Sequence, residues 1–144
     1  MVRFSDRQFR SVMKPYTLGE AEERPWGNWR VVQVGSHYAA KILRVKPFHR
    51  LSLQRHFHRD ERWIVCQGEV LISIGDRHDS ACSGETVYIP SATWHRLSNA
   101  TEKEAIVMEV QFGSILSEED IERVDDDYGR QMALSLHGPS ISPE

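Results

Sequence analysis

Between Leu51 and Gly68 the chain reads LSLQRHFHRDERWIVCQG, and Gln54, His56 and His58 fall at alternate positions. In an extended strand, residues two apart project from one face. Three side chains able to ligate a metal would therefore point the same way, with the carboxylate of Glu61 close behind. The chemistry such a set supports is the binding of a divalent ion. Leu51, Leu53 and Phe57 take the opposite face, which must be covered in its turn. A strand with donors on one side and apolar groups on the other belongs in a sandwich or barrel that encloses a polar pocket.

The elements around this stretch fit that architecture. From the rigid turn Arg24-Pro25-Trp26-Gly27 onward, short apolar runs alternate with turn residues, which predicts strands near 29–34, 38–46, 51–58, 63–66, 69–74, 77–82, 86–89, 94–97 and 104–112. Many short strands at regular spacing, with no long helix between them, indicate an all-β antiparallel sandwich or barrel. Gly75-Asp76 is a hairpin signal. Residues 1–23 are charged and weakly patterned, with Phe4, Phe9 and Val12 at near-helical spacing, and read as an arm or short helix laid over the Leu51/Leu53/Phe57 face. Ser117-Glu118-Glu119-Asp120 resembles a helix N-cap with acids in the first turn, so a short helix is expected to about residue 124. The domain proper is expected over 24–130, with 131–144 as a tail.

Bulk properties bound the rest. The 144 residues are 40% hydrophobic and 27% charged with a net charge of −3, so one domain with its own core is expected. A balance that mild gives no reason to invoke nucleic acid or an anionic membrane as partner. No apolar run reaches membrane-spanning length and the first residues lack an apolar signal core, so a cytoplasmic location is expected. Cys66 and Cys82 have neither metal-type spacing nor a disulfide-rich setting, and buried free thiols are expected.

Two spaced blocks carry a resemblance. Gln54 and His56 are followed at fixed spacing by Glu61 and Gly68; Gly84 is followed by Pro90, His95 and Asn99. These resemble the two signature blocks of the cupin superfamily, jelly-roll (double-stranded β-helix) barrels here with short flanking helices. The departures are Phe48 and Ala92, where the pattern has glycine. The resemblance implies a ligand shell of Gln54 Oε1, His56, Glu61 and His95, with His58 as an alternative to Gln54. Such a shell holds one divalent ion, with Zn the first choice and Mn, Co, Fe or Ni able to replace it. Its lack of thiolate argues against a structural zinc. A neutral glutamine leaves the site more positive than a second carboxylate would, which strengthens it as a Lewis acid.

The resemblance narrows further. RPWGNW at 24–29, LSLQRHFHRDERW at 51–63, YIP at 88–90, HRLSN at 95–99, MEVQFG at 108–113 and EEDIERVDDDYGR at 118–130 occur in this order. Together they look like the type II phosphomannose isomerase domain, the C-terminal cupin of bifunctional mannose-6-phosphate isomerase/mannose-1-phosphate guanylyltransferases. No glycine-rich nucleotide loop is present, so the guanylyltransferase activity does not carry over. The implied reaction interconverts mannose 6-phosphate and fructose 6-phosphate through an enediolate, and it needs a Lewis acid, a group that moves a proton, and cations for the phosphate. Strand parity places Lys41 with Leu43 and Val45, pointing inward. Arg59 is expected at the pocket mouth as a substrate or enediolate stabiliser. Glu109 is the candidate base, although it and Gln111 either line the pocket or face water. Arg96 faces away by parity, and Arg130 could reach a phosphate. Trp26, Trp29, Trp63 and Trp94 are core or interface residues first. The apolar Leu51/Leu53/Phe57 face suggests a homodimer. Two other readings stand beside the isomerase: a non-catalytic sugar- or sugar-nucleotide-binding cupin, and an Fe(II) oxygenase using His56, His58, His95 and Glu61.

Overall fold

The computed structural model describes residues 13–124, 126 and 127. It contains eleven strands: β1 (Ala21–Arg24), β2 (Gly27–Val34), β3 (Tyr38–Val45), β4 (Leu53–Arg55), β5 (Arg59–Gln67), β6 (Glu69–Ile74), β7 (Arg77–Cys82), β8 (Thr86–Ile89), β9 (His95–Ser98), β10 (Ala105–Gly113) and β11 (Glu122–Val124). All pairings are antiparallel. One sheet runs β1-β2-β3-β10-β5-β8 and the other β11-β4-β9-β6-β7. No helix among the described residues is long and apolar enough to cross a membrane.

Alternation decides which side chains meet. Along β5 the buried positions are Arg59, Glu61, Trp63 and Val65; along β10 they are Ala105, Val107, Glu109 and Gln111. Cross-strand neighbours in register share a face. The register stacks Leu43, Val107 and Val65 in one row, Lys41, Glu109 and Trp63 in the next, and Ala39, Gln111 and Glu61 in the row beyond. The inner face of the large sheet is thus apolar at one end and charged at the other. Val70, Ile72 and Leu97 of the small sheet close over the apolar end and join Trp29, Leu43, Val45 and Val107 in the core. Polar groups gather at the opposite end because the same alternation carries them there.

Several expectations are corrected. The strand expected over 51–58 is confined to Leu53–Arg55; the chain bends at Phe57 and His58 and re-enters a strand at Arg59. Leu51 consequently turns into the core while Phe57 is exposed, so the apolar stripe that motivated the homodimer is not continuous. The helix expected from Ser117 does not form: a turn leads into β11, which pairs with β4. Among the described residues the flanking segments are strand and turn, not helix. Residues 21–23, expected to be arm, form β1 with Arg24 and pair with β2, and Tyr16 is buried in the core. Phe4, Phe9 and Val12, Arg130 and the tail 131–144 lie outside the described residues. Both cysteines are free, as expected, but exposed rather than buried.

Backbone conformation explains two departures from the block pattern. Phe48 and Ala92, which stand where glycine is usual, both have left-handed backbones, with φ of 58° and 59°. The turns keep their glycine geometry without glycine. A left-handed backbone costs an L-residue about 1–2 kcal/mol, partly offset in a glycine variant by the greater freedom of its unfolded chain. Phe48→Gly and Ala92→Gly should each stabilise the fold by about 0.5–1 kcal/mol, seen as a higher urea midpoint. A lower midpoint for both would refute the reading. Gly27 shows the opposite constraint: a Cβ there would lie 1.8 Å from the carbonyl oxygen of Arg44.

Candidate metal centre

Three donors converge at the polar end of the barrel. His56 precedes the bend between β4 and β5, Glu61 projects inward from β5, and His95 opens β9; all three are buried. His56 Nε2 lies 3.1 Å from Glu61 Oε1, and His95 Nε2 lies 3.8 Å from Glu61 Oε2. Donors around a tetrahedral ion such as zinc stand about 3.4 Å apart, between these two separations.

The outer nitrogens of both rings are already engaged. His56 Nδ1 is 2.7 Å from the carbonyl oxygen of Asp120, and His95 Nδ1 is 2.8 Å from that of Thr93. A carbonyl accepts only, so each Nδ1 carries the proton and each Nε2 keeps its lone pair. His95 Nε2 is buried without a hydrogen-bond partner, a cost that coordination to a cation would remove. Gln54 lies directly opposite His95 in the β4–β9 pairing and, half-buried, lines a cleft together with His56, Arg59 and Glu109. Its amide oxygen is therefore on the correct side to serve as a fourth donor. His58 is not part of the His56–Glu61–His95 cluster, because the bend at Phe57 breaks the alternation that would have aligned it with His56. The residues present fit a divalent ion.

Cations surround the donors. Arg59, expected at the mouth, is buried, because its parity on β5 matches that of Glu61 and Trp63. Its Nε donates to Glu61 Oε1 at 3.0 Å, one terminal nitrogen donates to the Ser117 carbonyl at 3.0 Å, and the other lies 3.2 Å from His56 Nε2. An ion and Arg59 thus compete for the His56 lone pair and for Glu61 Oε1, while the Arg59 contact to the Ser117 carbonyl involves no donor. Lys41 is buried as expected, with Nζ 4.2 Å from the centre of the Trp29 ring, ion-paired to Glu118 and 3.9 Å from Glu109 Oε2. Glu109 faces inward, accepting from Trp63 Nε1 at 3.1 Å and Gln111 Nε2 at 3.0 Å.

Electrostatics sort these groups. Burial would raise the Glu61 carboxyl, but adjacent Arg59, the Glu109 hydrogen bond and His95 outweigh it and hold it at about 2. Burial and the neighbouring charge of Glu61 push Glu109 up. One carboxylate and one protonatable carboxyl therefore lie side by side. Burial holds His56 well below its usual value, with Arg59 and His95 adding to the effect. Burial would lower Lys41, but Tyr16, Glu118 and Glu109 raise it on balance, so it stays charged. Glu118 is likewise raised by burial but held at about 2 by Lys41 and Arg59, and burial raises Tyr16 to about 12.

The signs give a stability profile for chelator-stripped protein. Glu61 and Glu118 have folded values below the ordinary glutamate value of 4.5, so their contribution is present above pH 4.5 and is lost as pH falls towards about 2. His56, kept neutral in the fold, pulls in the same direction below its unfolded value. Glu109, raised in the fold, is protonated in both states below 4.5 and adds nothing there. Urea midpoints should fall steeply between pH 4.5 and 2, and less steeply in Glu118→Gln. A flat profile in the parent would contradict these shifts.

Sequence reasoning missed Tyr16, Ser117, Glu118, Asp120 and Arg123. The Tyr16 hydroxyl donates to Glu118 Oε1 at 2.8 Å, and Arg123, in register with Gln54, lines the cleft with Arg24. A buried tyrosine in a charged arm leaves no periodic signal. The acids at 118–120 were visible, but as a helix cap.

Comparison with known proteins gives this geometry a family. Residues 14–126 match the family described as Mannose-6-phosphate isomerase C-terminal. The chain belongs to this family. Similar relatives include the alginate biosynthesis protein AlgA of Pseudomonas aeruginosa, 44% identical over 78% of this chain and 24% of that protein. The xanthan biosynthesis protein XanB of Xanthomonas campestris is 41% identical over 74% of this chain and 23% of its own length. The mannose-1-phosphate guanylyltransferase ManC of Salmonella typhimurium is 37% identical over 74% and 22%. This isomerase-family chain spans about a quarter of the length of these relatives. Among solved structures, oxalate decarboxylase from Bacillus subtilis aligns at a TM-score of 0.67 with 22% identity over 74% of this chain and 30% of that one. The Cnp3 cupin domain of Schizosaccharomyces pombe aligns at 0.58 with 8% identity over 60% and 64%. The fold of this family member is a cupin barrel.

Proposed function

We propose that the domain is a metal-dependent isomerase that interconverts mannose 6-phosphate and fructose 6-phosphate. The observation that carries this is the convergence of two lone-pair-bearing Nε2 atoms on Glu61, with the Glu109 carboxyl beside it, both carboxyl groups accepting from Trp63 Nε1 at 3.1 Å. Gln54, His56, Glu61 and His95 would hold the ion. When bound, it supplies Lewis acidity toward the C1 and C2 oxygens of the sugar.

The chain's residues supply the rest. Glu109 takes the C2 proton of the aldose as the enediolate forms and returns it at C1 to give the ketose; the hydroxyl proton moves from O2 to O1, so atoms balance. Its raised affinity for protons suits a group that must both accept and release one. Trp63 Nε1 and Gln111 Nε2 fix its two oxygens. Arg59 and Lys41 remain charged through the cycle and stabilise the developing negative charge. Arg24 and Arg123 line the cleft and fit the phosphate. The cleft holds about 40 Å³, room for about three waters, so a hexose phosphate requires the cleft to widen. The four-residue set His56, His58, His95 and Glu61 on which the oxygenase reading was framed is not assembled, since His58 stands outside the cluster.

The test is a coupled assay of fructose 6-phosphate formation by stripped protein, by stripped protein reloaded with zinc, cobalt or manganese, and by reloaded protein with chelator. Turnover that requires metal is expected. Tight sugar-phosphate binding with no turnover under any metal would replace this reading with that of a binding module.

A further inference from the structure

We propose that Asp120 is a positioning residue for the metal centre, through which closure of residues 114–124 and retention of the ion depend on each other. The inference rests on the reading of His56, Glu61 and His95 as ligands. Asp120 is 3% exposed and touches the ligand-bearing bend three times. Its carbonyl oxygen accepts from His56 Nδ1 at 2.7 Å. Its Oδ1 accepts from the backbone N–H of Phe57 at 3.1 Å, and its Oδ2 from that of His58 at 3.0 Å. One carboxylate thus spans two consecutive amides just after the ligand, while the same residue's carbonyl fixes the ring.

The bend needs such a clamp. Residues 56–58 belong to no strand, so no ladder sets their conformation. Their other backbone support comes from Ala92 N, which donates to the His56 carbonyl at 2.6 Å, and from Ser114 N, which donates to that of His58 at 3.2 Å. The carboxylate fixes the backbone from which His56 projects, and the carbonyl fixes the tautomer that leaves Nε2 free. Partners of this kind change metal affinity by about 10–100-fold when removed. Coupling is reciprocal: if the closed segment tightens the ion, the ion must tighten the segment by the same factor. The segment is tied to the site elsewhere through Ser117 to Arg59 and Glu118 to Lys41, so clamp and cover form one piece.

The experiment titrates chelator-stripped parent chain, Asp120→Ala, Asp120→Asn and Val70→Ala with zinc against a competing chelator, and with Co(II) followed by its visible absorption. Amide hydrogen exchange over 114–124 is read with and without zinc. Asp120→Ala keeps the carbonyl that bonds His56 but removes the clamp on the two amides that places it, so it should weaken zinc binding about 10-fold, the lower end for such partners, and alter the Co(II) spectrum. Asp120→Asn, which keeps one acceptor, should fall between it and the parent. Val70→Ala, a core truncation remote from the bend, should destabilise the fold yet bind zinc as the parent does. Exchange over 114–124 should slow on zinc binding in the parent and much less in Asp120→Ala. Parental zinc affinity in both Asp120 variants, or an equal loss in Val70→Ala, would overturn the proposal while leaving the metal centre intact. A parent chain that takes up no zinc would overturn both.

Discussion

Replacing His95 by alanine should strip the protein of its ion and its turnover together. Metal content is expected to fall from about one ion per chain to near zero, and isomerase activity by on the order of 10³-fold or more. The expectation follows from the position of His95 Nε2, which is buried without a hydrogen-bond partner and faces Glu61. Truncation removes that donor and the bond between Nδ1 and the Thr93 carbonyl, at a stability cost of about 1–3 kcal/mol. A folded but metal-free variant is therefore expected, with circular dichroism as the control for folding. His58→Ala is the companion experiment: His58 stands outside the donor cluster, so metal content should be unchanged. Equal losses in the two variants would contradict the assignment of donors.

Lys41→Met should show the largest effect on stability, about 3 kcal/mol by urea unfolding. Lys41 is 4% exposed and sits among Glu118, Glu109, Tyr16 and the Trp29 ring. Removing one member of a buried ion pair costs about 3–5 kcal/mol because its partner remains buried and unpaired. The lower end applies here, since the Glu118 side chain is 26% exposed and partly solvated. Exchanging both members for apolar residues, Lys41→Met with Glu118→Leu, should recover much of the loss. Activity should not recover, because the cation that stabilises the sugar's negative charge is still missing. A single variant within 1 kcal/mol of the parent would mean that the pair is solvated in solution.

What could be read from the sequence was what local pattern controls. The strands β2, β3 and β6 to β10 follow from alternation and turn residues, as does the second half of β5, and Lys41 and the donors His56, Glu61 and His95 lie in short blocks where spacing carries the information. Arg59 was misplaced: it was expected at the mouth because it follows the strand expected over 51–58, whereas β4 ends at Arg55 and Arg59 opens β5, where alternation with Glu61, Trp63 and Val65 turns it inward. Long-range contacts defeated the rest. His58 looked aligned with His56 until Asp120, more than sixty residues away, bent the chain between them. Ser117 to Asp120 carries a valid helix-capping pattern, but the carboxylates of Glu118 and Asp120 are taken by Lys41 and by the Phe57 and His58 amides, which compete with a local helix and win. Phe48 and Ala92 were visible as anomalies, and their left-handed backbones show that the fold tolerates them rather than avoids them.

The most direct measurement is an anomalous-scattering map from crystals of the chain grown with zinc or cobalt. A single strong peak is expected about 2.0–2.2 Å from His56 Nε2, a Glu61 oxygen, His95 Nε2 and Gln54 Oε1, with Arg59 withdrawn from His56. A map with no peak there, and with the Arg59 guanidinium still bonded to His56 Nε2 at full metal concentration, would contradict a metal centre at this site.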